Sequence, residues 1–223
     1  MISKSVLSFD VFGTLVDVRR GSYPVFESIL SDCSRPDIDV RDFWERWETH
    51  NIARYWQPYR PYKDICALSL ADTFRDFDVA GEPQLIERYF AAFPSFTIFP
   101  DVAATLAKLS GRYRMAVVSN IDDALLAATP LPDVFSIICT AERAKGYKPD
   151  GTLFRFLVEK AGVPISDILH SGQSQFTDMV GGKPLGLTIA WINRRGVPLD
   201  PKVPAPDFTF PDIASLVPLL VSG

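Results

Sequence analysis

Cysteine is scarce and scattered in this chain. Of 223 residues only Cys33, Cys66 and Cys139 are cysteine, an odd number with no C-x-x-C pair. That spacing excludes a disulfide framework and a cysteine-built zinc site, and it favours a reducing compartment. Histidine is scarcer still, with two residues, His50 and His170. A basic excess is missing: 23 Lys+Arg stand against 27 Asp+Glu, a net charge of −4, and no Lys/Arg-rich run occurs. A nucleic-acid partner is therefore not expected. No stretch approaches the 18 consecutive apolar residues that a spanning helix needs. The opening MISKSVLSFD has no apolar leader region and no small-residue cleavage site, so the expected location is cytoplasmic.

What is present is ordinary for a folded protein: 47% hydrophobic and 22% charged residues. The length allows one large domain, or a core with a smaller insert. The acidic excess is local. Residues 15–93 hold 10 Lys+Arg against 14 Asp+Glu, and the remainder is balanced at 13 each.

Ser5 to Phe12 is a short apolar, β-branched run closed by Gly13, which predicts a buried strand. Helical patterns follow from about Tyr23 to Phe93. One helix, capped by Asp39, runs to about Tyr55. A second spans Tyr62 to Phe77, and a third about Pro83 to Ala92. Pro94 and Pro100 mark a boundary. After it, strands are predicted at Tyr113–Ser119, Ser136–Thr140, Asp167–Ser171, Leu187–Asn193 and Phe208–Phe210. Helices are predicted at Asp101–Leu109, Asp122–Ala128, Asp150–Ala161, Gln175–Leu185 and Ile213–Val221. Alternating strands and helices imply βαβ units. The expected fold class is α/β: a Rossmann-like parallel-sheet core, residues 1–15 and 94–223, with an inserted helical cap domain, residues 16–93.

Ligands of open parallel sheets bind beyond the carboxyl ends of the strands. The first strand ends at Asp10-Val11-Phe12-Gly13-Thr14, the second at Ser119-Asn120. Lys148 precedes a helix after the third, and the fourth runs into Gly172-Gln173-Ser174, with Asp178 close behind. Carboxylates, hydroxyls, amides and an amine thus converge on one rim.

FDVFGTL, VVSN, YKPD and ILHSGQSQFTDMVGGKPLGL…WINRRG resemble the four ordered motifs of the haloacid dehalogenase superfamily. The resemblance covers about residues 5–15 and 94–222. FDVFGTLVD and WINR bring it nearest to the L-2-haloacid dehalogenases and related C–halogen and C–N hydrolases. It implies that Asp10 is a nucleophile forming an ester that water then hydrolyses. It implies that Thr14, Ser119 and Asn120 orient that carboxylate and the substrate acid, and that Lys148 supplies positive charge. Phosphatases of the superfamily usually carry an aspartate where this chain has Phe12. A phenylalanine cannot transfer a proton, which suits a leaving group that departs as a halide.

Magnesium-dependent members carry a G-D-S-x-x-x-D pattern. Here the segment is Gly172-Gln173-Ser174-Gln175-Phe176-Thr177-Asp178, so a neutral amide replaces one carboxylate. The expected cofactor is none. Gln175 is expected to position the hydrolytic water, Asp178 either to pair with Lys148 or to activate that water, and Gln173 and Ser174 to face the substrate. The family's cap arginine has no match: Trp44 aligns with its tryptophan neighbour, but Glu45 follows, and Arg46 is the nearest candidate with Trp44 for substrate contact. Trp44, Trp47, Tyr55 and Trp56 either line an apolar pocket or form plain core. His50 is expected at the surface, His170 in strand packing. The function implied is a hydrolase acting on a small organic acid with a leaving group on its α-carbon. The alternatives are a magnesium-dependent phosphatase with altered motifs, or a non-catalytic binding protein. A homodimer is compatible with the resemblance, although no interface signal is visible.

Overall fold

The computed structural model describes residues 4–221. The expectation for the first three residues lies outside that range. Six parallel strands form one sheet in the order β3-β2-β1-β4-β5-β6. They are β1 (Val6–Phe9), β2 (Arg114–Ser119), β3 (Ile137–Thr140), β4 (Ile168–Gly172), β5 (Thr188–Ile192) and β6 (Phe208–Phe210). The chain builds outward from β1 to β3, then returns to β1's other side for β4, so the order reverses between β1 and β4. Such a reversal opens a crevice at the carboxyl ends of the two strands.

β1 and β4 are fully buried, as the continuous apolar runs predict for a sheet covered on both faces. β1 is shorter than Ser5 to Phe12. After Phe9, the amides of Leu15 and Val16 both turn back to the Val11 carbonyl, at 2.8 and 2.9 Å. Gly13 permits that turn with φ +85°, and a Cβ there would press on the Gln173 side chain at 2.9 Å. The strand therefore stops where the loop must aim Asp10.

Between β1 and β2 the chain makes α1 (Val18–Asp32), α2 (Val40–Arg54), α3 (Tyr62–Asp76), a 3-10 turn (Pro83–Ile86) and α4 (Glu87–Ala91). Asp17 caps α1 by accepting from the Arg20 amide, so this helix starts before the expected Tyr23 and carries Pro24 inside it. Asp39 caps α2 as expected, accepting from the Arg41 amide at 2.7 Å. Pro83 turns the expected third helix into 3-10 geometry before α4. These helices bury Phe26, Phe43, Trp47 and Tyr89 against each other, with Phe26 and Trp47 ring centres 5.0 Å apart.

The remaining helices flank the sheet: α5 (Val102–Ser110), α6 (Asp123–Ala128), α7 (Ala141–Ala144), α8 (Thr152–Ala161), α9 (Val180–Gly182) and α10 (Leu216–Leu220). The single helix expected over Gln175–Leu185 is three pieces: a π-turn (Gln175–Met179), α9 and a 3-10 turn (Lys183–Leu185). Its backbone is pressed against the segment that carries Lys148. A Cβ on Gly181 would fall 1.8 Å from the Lys148 carbonyl oxygen, and Pro184 then tightens the last turn. Among the described residues no helix is long and apolar enough to cross a membrane.

Candidate active site

Asp10 follows β1 directly, and its amide is pinned to the Ser171 carbonyl of β4 at 3.0 Å. Its carboxylate is held from both sides. Thr14 donates to Oδ2 at 2.7 Å, and Lys148 Nζ donates to Oδ1 at 2.5 Å. The Thr14 hydroxyl is fixed in turn by the Gln173 amide at 2.9 Å. Thr14 is fully buried, so it positions the carboxylate rather than meeting a ligand.

Lys148 is 2% exposed and bridges two acids, donating also to Asp178 Oδ1 at 2.7 Å. Asp178 itself is completely buried and accepts the Ser174 amide at 3.0 Å on its other oxygen. His170 Nε2 meets Asp178 Oδ1 at 3.1 Å, and its Nδ1 pairs with Ser8 Oγ at 3.0 Å. Gly172 makes this packing feasible, because a Cβ there would sit 2.3 Å from the Asp178 carboxylate.

One ammonium thus serves two buried carboxylates, and the deficit falls unequally. Burial pushes both acids up. At Asp178 the Lys148 charge and the His170 contact overcome that and hold the carboxyl well below its ordinary range. At Asp10 burial prevails over Lys148, with Asp178 adding repulsion, so its carboxyl lies above the ordinary value. Lys148 is pushed down by burial but raised further by both carboxylates, and stays charged.

Above Asp10 a cavity of about 500 Å³ opens between the strand ends and the helical insert. From the sheet side it is walled by Asp10, Phe12, Ser119, Asn120, Lys148 and Gln173. Phe12 packs edge-on against Phe93 with ring centres 5.4 Å apart. Asn120 spends its carbonyl on the Lys148 amide at 2.9 Å, orienting the lysine backbone. Ser174 also borders the cavity, and its hydroxyl caps the π-turn at the Thr177 amide.

From the insert side come Trp44, Glu48, Ile52, Tyr55 and Tyr62. Trp44 is 5% exposed, and among the described residues its indole Nε1 has no hydrogen-bond partner. The aromatic group divides: Trp44 and Tyr55 line the cavity, Trp47 is core with its Nε1 on the Cys66 carbonyl at 3.1 Å, and Trp56 is half exposed.

Two expectations are corrected, for Arg46 and Gln175, and one is narrowed, for Asp178. Arg46 points away from the cavity and pairs on the outer face with Asp76 at 2.5 Å. On a helix it lies two positions from Trp44, about 200° around the axis. Arg46→Ala should therefore leave turnover unchanged and shift stability by less than about 0.5 kcal/mol, as steady-state rates and a thermal melt will show. Gln175 borders the cavity, but both ends of its amide hold the connector after β5. It donates to the Pro198 carbonyl at 2.9 Å and accepts the Asp200 amide at 2.7 Å. It ties down that loop instead of presenting a free amide to water. Of the two roles expected of Asp178, the structure shows the pair with Lys148, and the side chain does not reach the cavity wall.

Sequence reasoning also passed over several groups. His170 is no mere packing residue. A histidine in a fully buried strand needs polar partners, and that requirement was the available signal. Arg194 makes a bidentate pair with Asp101 at 2.9 and 3.0 Å, lies over Phe99, and donates to the Thr14 carbonyl at 2.9 Å. It anchors the Asp10 loop to the end of β5. Arg19, Glu48 and Arg195 also face the cavity. Glu48 had a signal: it lies four residues after Trp44, on the same helix face.

A doubly wound parallel sheet with a carboxylate, a lysine and hydroxyls at its switch point defines a hydrolase of the haloacid dehalogenase-like family. The chain belongs to that family, whose model matches residues 5–186. It is similar to (S)-2-haloacid dehalogenase 4A of Burkholderia cepacia, with 27% identity over 85% of this chain and 83% of that one. It is similar to haloacetate dehalogenase H-2 of Moraxella sp. (strain B), with 26% identity over 96% of each. The fold matches the L-2-haloacid dehalogenase structure of Xanthobacter autotrophicus with a TM-score of 0.82 over the whole of both chains, at 21% identity.

Proposed function

We propose that this hydrolase displaces a leaving group from the α-carbon of a small carboxylic acid, with Asp10 as nucleophile and an Asp10 ester as intermediate. The observation that carries this reading is the pairing of a clamped carboxylate with Phe12 on the floor of one cavity. Thr14 and Lys148 fix both Asp10 oxygens, leaving a defined line of approach to a carbon above them. Ser119 and Asn120 offer polar contacts to the substrate acid, and Trp44 a cap-side wall. The helices between 16 and 93 act as the cap over this floor. The names of the relatives, 2-haloacid and haloacetate dehalogenases, support displacement at carbon.

The reading needs no metal. Magnesium, which other members of the superfamily use, fits these residues poorly. All four oxygens of Asp10 and Asp178 already have a donor, and the Lys148 ammonium occupies the place between the two carboxylates. The three free thiols support a reducing, cytoplasmic setting.

The test is product release from L-2-chloropropionate, azetidine-2-carboxylate and p-nitrophenyl phosphate, each with EDTA and with magnesium. Turnover of either acid that EDTA leaves intact, with an Asp10 adduct in the mass spectrum of the stalled enzyme, is the expected result. Phosphate release alone, and only with magnesium, would overturn it.

A further inference from the structure

Phe12 leaves the floor of the cavity without a proton donor, but the roof has one. Glu48 sits on α2 and lines the same cavity as Asp10, among Trp44, Ile52, Tyr55 and Tyr62. Among the described residues its side chain has no close ionic partner. The Asn51 amide approaches only to 3.5 Å, the outer edge of a hydrogen bond, and the nearby Arg19 is committed to Glu45 at 2.8 Å. An acid placed in an apolar wall without a counter-ion holds its proton. Burial, reinforced by the Asp10 charge and only partly offset by Asn51 and Arg19, pushes the Glu48 carboxyl up to about 7. The two acids of the cavity thus differ in kind. Asp10 has the Lys148 ammonium against it at 2.5 Å, whereas Glu48 has no such partner and still carries a proton near neutrality.

We propose that Glu48 is the general acid of this site and that the favoured substrate is a small carboxylic acid whose α-carbon belongs to a strained ring closed by oxygen. A halide departs without a proton, and a ring amine already carries its proton at neutral pH, so neither gives Glu48 anything to do. A ring oxygen departs well only if it gains one. In the first step an Asp10 oxygen bonds to the ring carbon, and the carbon–oxygen bond breaks. The ring oxygen keeps the bonding pair and takes the Glu48 proton. In the second step water adds to the Asp10 ester carbonyl, one of its protons passes to the Glu48 carboxylate and the other to the departing alkoxide oxygen, and the 2-hydroxy acid is released with both acids restored. The sum is substrate plus water, with no oxidant or reductant.

This inference rests on Asp10 acting at carbon, and the experiment separates the two. Oxirane-2-carboxylate, azetidine-2-carboxylate and L-2-chloropropionate are compared as substrates of the wild-type enzyme, Glu48→Gln and Glu48→Asp. The fold of each variant is checked by its thermal melt. The expected result is a 10²- to 10⁴-fold loss of oxirane opening in Glu48→Gln, in the range of a lost general acid. Halide release and azetidine opening should fall by less than about tenfold on the same scale, and Glu48→Asp should recover part of the oxirane opening. A loss equal on all three substrates would assign Glu48 to packing and overturn the proposal. So would oxirane opening that survives Glu48→Gln, or a wild-type enzyme that releases halide but leaves the oxirane closed. Inactivity on all three with no Asp10 adduct would strike the underlying reading, and this inference would fall with it.

Discussion

Lys148→Met should abolish turnover and cost about 3–5 kcal/mol of stability, because it strips the shared counter-ion from two buried carboxylates. Asp178 is not exposed at all, so water cannot replace the ammonium there, and Asp10 meets solvent only through its 6% exposure to the cavity. The pH dependence carries the sharper signature. In the wild-type enzyme the depressed Asp178 carboxyl contributes stability above its unfolded value of 3.8, lost as pH falls through the lower folded value. The raised Lys148 contribution is complete below its unfolded value of 10.5 and is lost only as pH rises beyond the folded one. In Lys148→Met both acids are pushed up and take protons more readily. The variant should gain more stability on acidification from neutral pH than the wild-type enzyme, in which Asp10 and Glu48 are raised but Asp178 is depressed. Urea unfolding at several pH values reads this directly. Parallel curves for the two proteins would mean that Lys148 is not the keystone of the pair.

Asp10→Asn should have the opposite thermodynamic sign. It removes the nucleophile, so turnover should fall on the order of 10⁴-fold or more. Yet the wild-type Asp10 carboxyl is raised by burial, meaning that its charged form is costly in the folded state at neutral pH. Replacing it with a near-isosteric neutral amide leaves Lys148 and Asp178 as one balanced pair. The variant should be at least as stable as the wild-type enzyme, the trade between stability and activity expected where a site holds a strained charge. A clear loss of melting temperature would contradict the charge balance drawn above. Residual turnover near the wild-type rate would remove Asp10 from the chemistry.

The floor of this site was legible because strand periodicity fixes direction. Once β1, β2 and β4 are placed in a parallel sheet, their carboxyl ends must share a rim, and Asp10, Ser119 and Gln173 arrive there together. The roof was harder to read. A helix pattern shows that one stripe is apolar, but not which part of the stripe meets core and which meets empty space. Trp44 and Trp47 look alike in sequence, and only the packing of Phe26 and Tyr89 makes one core and leaves the other on the cavity wall. Arg46 attracted attention by its closeness in sequence to Trp44, whereas Glu48 shares its face. Gln175 fell outside prediction for another reason. Its partners are backbone atoms of the 198–200 connector, and no local rule ties a side chain to a loop more than 20 residues away.

The helical insert does not have a hydrophobic core of its own. One apolar cluster runs from Phe26, Phe43, Trp47 and Tyr89 in the insert through Val11 and Val16 of the Asp10 loop to Val117, Ile121 and Leu125 beside β2. The insert is also stitched at its base, where Val16 pairs with Ile98. Heating should therefore melt roof and floor in one cooperative step, a single calorimetric peak with no plateau for a detached cap. Access to the cavity follows the same constraint. Swinging the whole insert away would tear that continuous core, so substrate is expected to enter by smaller movements among the charged lining residues Arg19, Glu45 and Arg195.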